Sequence, residues 1–144
     1  YWNLDALIVE YGLVGRVINE RRALTDRELA MRYSACDATV LVSGGEGFGY
    51  PVAESLSCGT PVVAGGYGAH VELGGRVVRR VAEVIDTNHN VRRAVYRAED
   101  VAVALGQTLL EEPEPEREVE KVRHLDMKLL GVEWKKWLVK GLGR

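Results

Sequence analysis

The eighteen residues Glu46-Gly-Phe-Gly-Tyr-Pro-Val-Ala-Glu-Ser-Leu-Ser-Cys-Gly-Thr-Pro-Val-Val63 constrain the fold of this chain more than any other stretch. Just upstream, Ala38-Thr-Val-Leu-Val42 is short, apolar and rich in β-branched residues, the pattern of a buried strand. A glycine loop follows over Ser43–Tyr50. Pro51 then suits a first helical turn, where its missing N–H costs nothing. The helix runs through Val52, Ala53, Leu56 and Cys58, and Gly59 suits a left-handed cap. The order strand, glycine loop, helix places the loop at the carboxyl end of a strand, where α/β sheets bind ligands. Free N–H groups at the helix start favour an anion there. Glu46 and Glu54 add a carboxylate on each side. Acids beside an anion site suggest a ligand that carries hydroxyls as well as phosphates, and a nucleotide sugar has both.

The flanking sequence repeats this alternation. Leu4, Leu7, Ile8 and Tyr11 fit one face of a helix stopped by Gly12, and Arg16-Val-Ile18 is a short strand candidate. Thr25-Asp-Arg-Glu28 has the form of a capping box opening a helix from Asp26 to Cys36 that buries Leu29, Tyr33 and Cys36. Downstream, Pro61–Ala64 reads as a fully apolar strand, and a second glycine loop, Gly65–Gly68, leads into Ala69–Leu73. Arg76–Val81 and Val91–Tyr96 read as further strands. Glu99–Glu112 reads as a helix with its apolar face at Val101, Ala102, Leu105, Leu109 and Leu110. Pro113–Glu116 is a hinge, and the remainder to Leu142 reads as amphipathic helix with Trp134 and Trp137 on one face. The expected fold is α/β, a Rossmann-like parallel sheet covered by helices over residues 1–112, with a helical extension over 113–144.

Composition narrows the class. A chain of 144 residues holds one domain with a real core. Nineteen basic against twenty-one acidic residues leave a net charge of −2, which does not mark a nucleic-acid partner. No apolar run approaches the ~20 residues of a membrane span, which leaves only peripheral membrane contact open. The two cysteines, Cys36 and Cys58, read as buried thiols, and the chain as cytoplasmic. His70, His89 and His124 are scattered, so no metal site is expected.

Laid out in this order, the chain resembles the carboxyl-terminal half of a family-four GT-B glycosyltransferase. The resemblance rests on Leu29, Tyr33 and Ala35-Cys36-Asp37, then the strand and Ser43. The Glu46-to-Pro51 signature with Glu54, the Cys58–Ala64 stretch and the segment from Gly66 to Glu72 complete it. It implies that Glu54 accepts hydrogen bonds from ribose hydroxyls of a nucleoside-diphosphate sugar, and that Glu46 stabilises cationic character at the donor's anomeric carbon. It implies that the amides of Phe48, Gly49 and Tyr50 face the sugar and diphosphate, with Gly47 and Gly49 permitting close approach. Leu24 matches a position that packs on the nucleobase. The implied reaction transfers a sugar with retention to an acceptor hydroxyl and needs no cofactor. The family's basic phosphate clamp, and an amino-terminal domain supplying the acceptor site, are expected to lie upstream of this chain. By this reading the chain is a fragment, inactive alone.

Other readings compete. A non-catalytic nucleotide-sugar-binding module is the principal alternative. An epimerase would need further acids and histidines around the donor, and a phosphorylase a pyridoxal-phosphate lysine. The glycine between the two acids argues against a glycoside hydrolase. Gly65 and Gly66 read as simple turn formers, and His70 as a loop cap or a solvent-facing side chain. The pairs Arg79-Arg80 and Arg92-Arg93 read as exposed faces before they read as a replacement clamp.

Overall fold

The computed structural model describes residues 3–141; the expected end of the last helix at Leu142 lies outside the described residues. The helices are α1 (Leu4–Glu10), α2 (Asp26–Ser34), α3 (Tyr50–Ser57), α4 (Ala98–Leu110), α5 (Pro115–Val122) and α6 (Met127–Gly141). The strands are β1 (Thr39–Leu41), β2 (Val62–Gly65), β3 (Arg76–Val78), β4 (Ala82–Asp86) and β5 (Val91–Val95). β1, β2 and β3 form a parallel sheet in that order, with Thr39 beside Val62 and Val63 beside Arg76. Helices flank this sheet, so the fold is α/β and Rossmann-like.

β2 lies at the centre, and its alternation explains why it is apolar throughout. Val62 and Ala64 join Val52, Ala53, Leu56, Leu73 and Val122 in one buried cluster. Val63 points the other way and packs with Val78 and Ala104, and with Tyr96, Val101 and Leu105 around them. A strand covered on both faces needs no polar side. Each fully buried Val or Leu contributes ~1.5–3 kcal/mol through removal from water. Val122 places α5 against α3, so the first helix after the hinge is seated on the sheet domain. Pro115 opens that helix in its first turn.

Several local expectations hold. The Thr25 hydroxyl and the Glu28 carboxylate form both halves of the capping box. Gly12 and Gly59 take positive φ values of 64° and 79° just past α1 and α3.

Others do not hold. Arg16-Val-Ile18 forms no strand: Val17 and Ile18 are exposed, and β-branched residues without a neighbouring strand gain nothing from extension. Cys36 is exposed and Cys58 half-buried, because α2 ends at Ser34 and both thiols fall beyond a helix end. On α4 the covered residues are Val101, Ala104, Leu105 and Thr108, while Ala102, Leu109 and Leu110 face outward. The helix meets the sheet along a narrow stripe, and the extra leucines fall outside it. β3 stops at Val78, and an unexpected β4 pairs antiparallel with β5 as a separate hairpin. β4 escaped notice because four of its five residues are exposed and it follows β3 without a glycine or proline break. The Ala94 amide donates to the Gly44 carbonyl at 2.8 Å, fastening this hairpin to the glycine loop.

Trp134 and Trp137 do share a face of α6, edge to face at 6.1 Å and exposed. Among the described residues no helix is long and apolar enough to cross a membrane.

Candidate functional site

Both glycine loops leave the parallel sheet at its carboxyl end, one after β1 and one after β2. The first turns into α3 at Gly49, which holds φ at 84°, a left-handed conformation that glycine adopts without strain. No side chain caps this helix. Pro51 has no N–H to satisfy, so the turn opens with amides that lack a side-chain partner. The arrangement is suited to an anion.

Glu46 and Glu54 are both half-buried, one in the loop and one in the second turn of α3. Oε2 of Glu54 accepts a hydrogen bond of 3.0 Å from the Tyr33 hydroxyl on α2, a partner that sequence reasoning missed. Burial pushes the Tyr33 hydroxyl up to about 12, and the bond to Glu54 adds to the shift. The phenol is therefore a fixed donor that orients one carboxylate oxygen and leaves the other available. Phe48 and Tyr50 project outward together, with ring centroids 5.0 Å apart, and Gly47 has open space where a side chain would start. Leu24, just ahead of the α2 capping box, is half-buried.

The second loop lies directly against the first. A Cβ on Gly68 would stand 3.3 Å from the Glu46 carbonyl oxygen and 3.4 Å from its amide nitrogen. Gly65 and Gly66 prove to be more than turn formers. A Cβ on Gly65 would enter the Tyr96 ring, and one on Gly66 would come within 2.9 Å of the Val78 carbonyl. His70 corrects the expectation of a loop cap or a solvent-facing side chain. It is fully buried in the Ala69–Leu73 turn, with Gly49 lying on its Cβ.

Four buried side-chain atoms lack a hydrogen-bond partner among the described residues: Ser43 Oγ, both ring nitrogens of His70, and Tyr96 Oη. Ser43 follows β1, His70 follows β2, and Tyr96 sits against Gly65 at the end of β2. Unsatisfied polar capacity thus gathers at the end of the sheet that carries the glycine loops. An orphaned buried polar group costs ~1–3 kcal/mol, so such a concentration is a property of the site and not of the packing in general.

Of the two arginine pairs, Arg79 is exposed, and the other three contact hairpin acids or the second glycine loop. Arg80 pairs with Glu83 and stacks over Tyr67 at 4.9 Å, Arg92 reaches Glu83, and Arg93 donates to Asp86 at 2.8 Å. Arg93, then His89, holds the Asp86 carboxyl down at about 2. A cavity of about 700 Å³ lies elsewhere, beside Asp37, Pro61 and Pro113 at the amino ends of β1 and β2. It shares no residue with the glycine loops.

The two glycine loops and the uncapped start of α3 thus form an open, amide-lined mouth at the carboxyl edge of the parallel sheet of an α/β domain. The sequence matches the model of the glycosyl transferases group 1 family over residues 4–121, and the chain belongs to that family. No match is found among curated proteins.

Proposed function

We propose that this domain binds a nucleoside-diphosphate sugar at the mouth of α3 and serves as the donor-binding, carboxyl-terminal half of a retaining family-four glycosyltransferase. Membership of the group 1 family supports sugar transfer in general terms. The observation that carries the donor-binding role is the uncapped start of α3 between the half-buried acids Glu46 and Glu54. The diphosphate meets the amides of Phe48, Gly49 and Tyr50, with Gly47 leaving room for close approach. Glu54, oriented by Tyr33, accepts from two ribose hydroxyls, a task suited to a carboxylate. Glu46 stabilises positive charge at the anomeric carbon as the sugar–phosphate bond lengthens. Leu24 packs on the nucleobase. The leaving diphosphate takes the acceptor proton, so the protein supplies position and electrostatics and forms no covalent intermediate. A second domain supplies the acceptor and the basic phosphate clamp.

Calorimetric titration of the complete protein with a panel of nucleoside-diphosphate sugars tests this reading, together with a product assay for transfer and anomeric configuration. Binding of one donor, weakened by changes at Glu54, and a retained anomeric configuration are expected. Donor binding without transfer, acceptor in excess, would leave only a binding module. No donor binding at all would remove the proposal.

A further inference from the structure

His70 is fully buried, both of its ring nitrogens lack a hydrogen-bond partner, and it lies where the two glycine loops meet. A Cβ on Gly49 would stand 2.5 Å from its Cβ, and a Cβ on Gly68 would stand 3.8 Å from its Cε1. The imidazole is thus packed under the loop leading into α3, with Gly68 of the second loop against its ring. A neutral imidazole offers one N–H donor and one acceptor, and burial without partners leaves both capacities unmet. The loops above it hold φ of 84° at Gly49 and 91° at Gly68, angles that glycine takes without strain, and the first loop's aromatic side chains, Phe48 and Tyr50, are exposed.

We infer that His70 is a positioning residue for the anion site: when a diphosphate seats at the mouth of α3, the imidazole N–H donates to a carbonyl of the Glu46–Tyr50 loop and holds the loop's amides outward. The inference rests on the proposed anion site and adds to it the residue that organises the loop. The geometry of the peptide unit supplies the link. In a trans peptide the N–H and the C=O point in opposite directions. A peptide that turns its N–H outward to an anion therefore turns its C=O inward, and for this loop inward means toward His70. The arrangement described leaves the imidazole unsatisfied; a diphosphate seated on the outward amides would let the same peptides satisfy the anion and the imidazole together. His70 does not touch the ligand. It acts through the loop.

Two experiments on the complete protein test this, with inorganic pyrophosphate as the probe. The first follows backbone amides and histidine ring nitrogens by NMR during titration. Movement of the Phe48–Val52 amides together with the His70 ring nitrogens is expected. Moving amides with an unmoved His70 ring would overturn the role of His70 and leave the anion site standing. Amides that do not respond would remove the anion site and this inference with it. The second compares variants. His70→Leu keeps bulk but cannot hydrogen-bond, and is expected to lose about tenfold in pyrophosphate affinity while remaining at least as stable as the parent in urea. His70→Gln, which restores a donor, is expected to recover part of that loss. Unchanged affinity in His70→Leu, or affinity that simply follows a loss of stability in both variants, would mean that His70 only fills space.

Discussion

The hydroxyl of Tyr33 on α2 donates a 3.0 Å hydrogen bond to Oε2 of Glu54 on α3. The two residues are 21 positions apart and belong to different helices, so the bond exists only because α2 lies against α3. It is secured from behind, where Thr60 Oγ1 donates to the Tyr33 carbonyl at 2.7 Å. Glu54 thereby enters any encounter with a ligand already oriented.

Removing that hydroxyl has a predictable cost. Tyr33→Phe is expected to lose ~1–2 kcal/mol of stability in urea unfolding, since the bond involves a charged acceptor in a partly buried place. Glu54→Ala in the complete protein is expected to weaken donor affinity by ~1–3 kcal/mol through a lost charged hydrogen bond. Donor affinity unaltered by the Glu54 change would dismiss its ribose role.

Alkali reports on the same pair. The folded-state value for Tyr33 lies near 12, above the ordinary tyrosine value of 10.0. A raised value means that the contribution of this contact is fully present below the unfolded value, about 10, and is lost as pH rises through about 12. Ultraviolet titration of the folded proteins should therefore show a late-ionising tyrosine in the parent that is missing in Tyr33→Phe and ionises earlier in Glu54→Ala. In acid the sign reverses at Asp86, whose carboxyl is depressed to about 2. Its contribution is present above pH ~4 and lost as pH falls toward about 2. Amide protection in the β4–β5 hairpin, measured against the intrinsic exchange rate, should fall over that window, and Asp86→Asn should lower it already at neutral pH.

Two glycines of one loop are expected to respond differently to the same substitution. Gly49→Ala places a methyl group 2.5 Å from the His70 Cβ at a positive φ, and is expected to cost ~2–4 kcal/mol. Gly47→Ala meets nothing within 4 Å and requires no unusual backbone angle. Its stability should stay within about 0.5 kcal/mol of the parent. A loss of donor affinity in a fully stable Gly47→Ala would then report ligand approach directly; undiminished affinity would show that the backbone there keeps its distance.

At the carboxyl end of β2, Tyr96 carries a buried hydroxyl with no partner, and its ring lies where a Gly65 side chain would be. Tyr96→Phe is expected to be neutral or stabilising by about 1 kcal/mol, since it removes an unsatisfied group and keeps the ring. Gly65→Ala should destabilise the parent by ~1–3 kcal/mol through overpacking, and much less in a Tyr96→Ala background. Equal costs in the two backgrounds would show that the ring does not set the limit. Urea unfolding of the parent and the four variants measures all of this.

The sequence by itself determined what depends on neighbours along the chain. The capping box at Thr25 and Glu28, the left-handed caps at Gly12 and Gly59, the β1–loop–α3–β2 order and the position of Glu46 and Glu54 are set within a few residues of one another. Their signals are therefore readable without a fold, as is the family resemblance they carry. Tertiary structure decided what depends on residues brought together from afar. Only packing reveals that Tyr33 holds Glu54, that His70 is shut beneath Gly49, that Gly65 yields to Tyr96, and that β4 and β5 leave the sheet to form a hairpin. A hydrogen-bond partner or an absent Cβ acts through distance in space, and pattern along a chain carries no record of that distance.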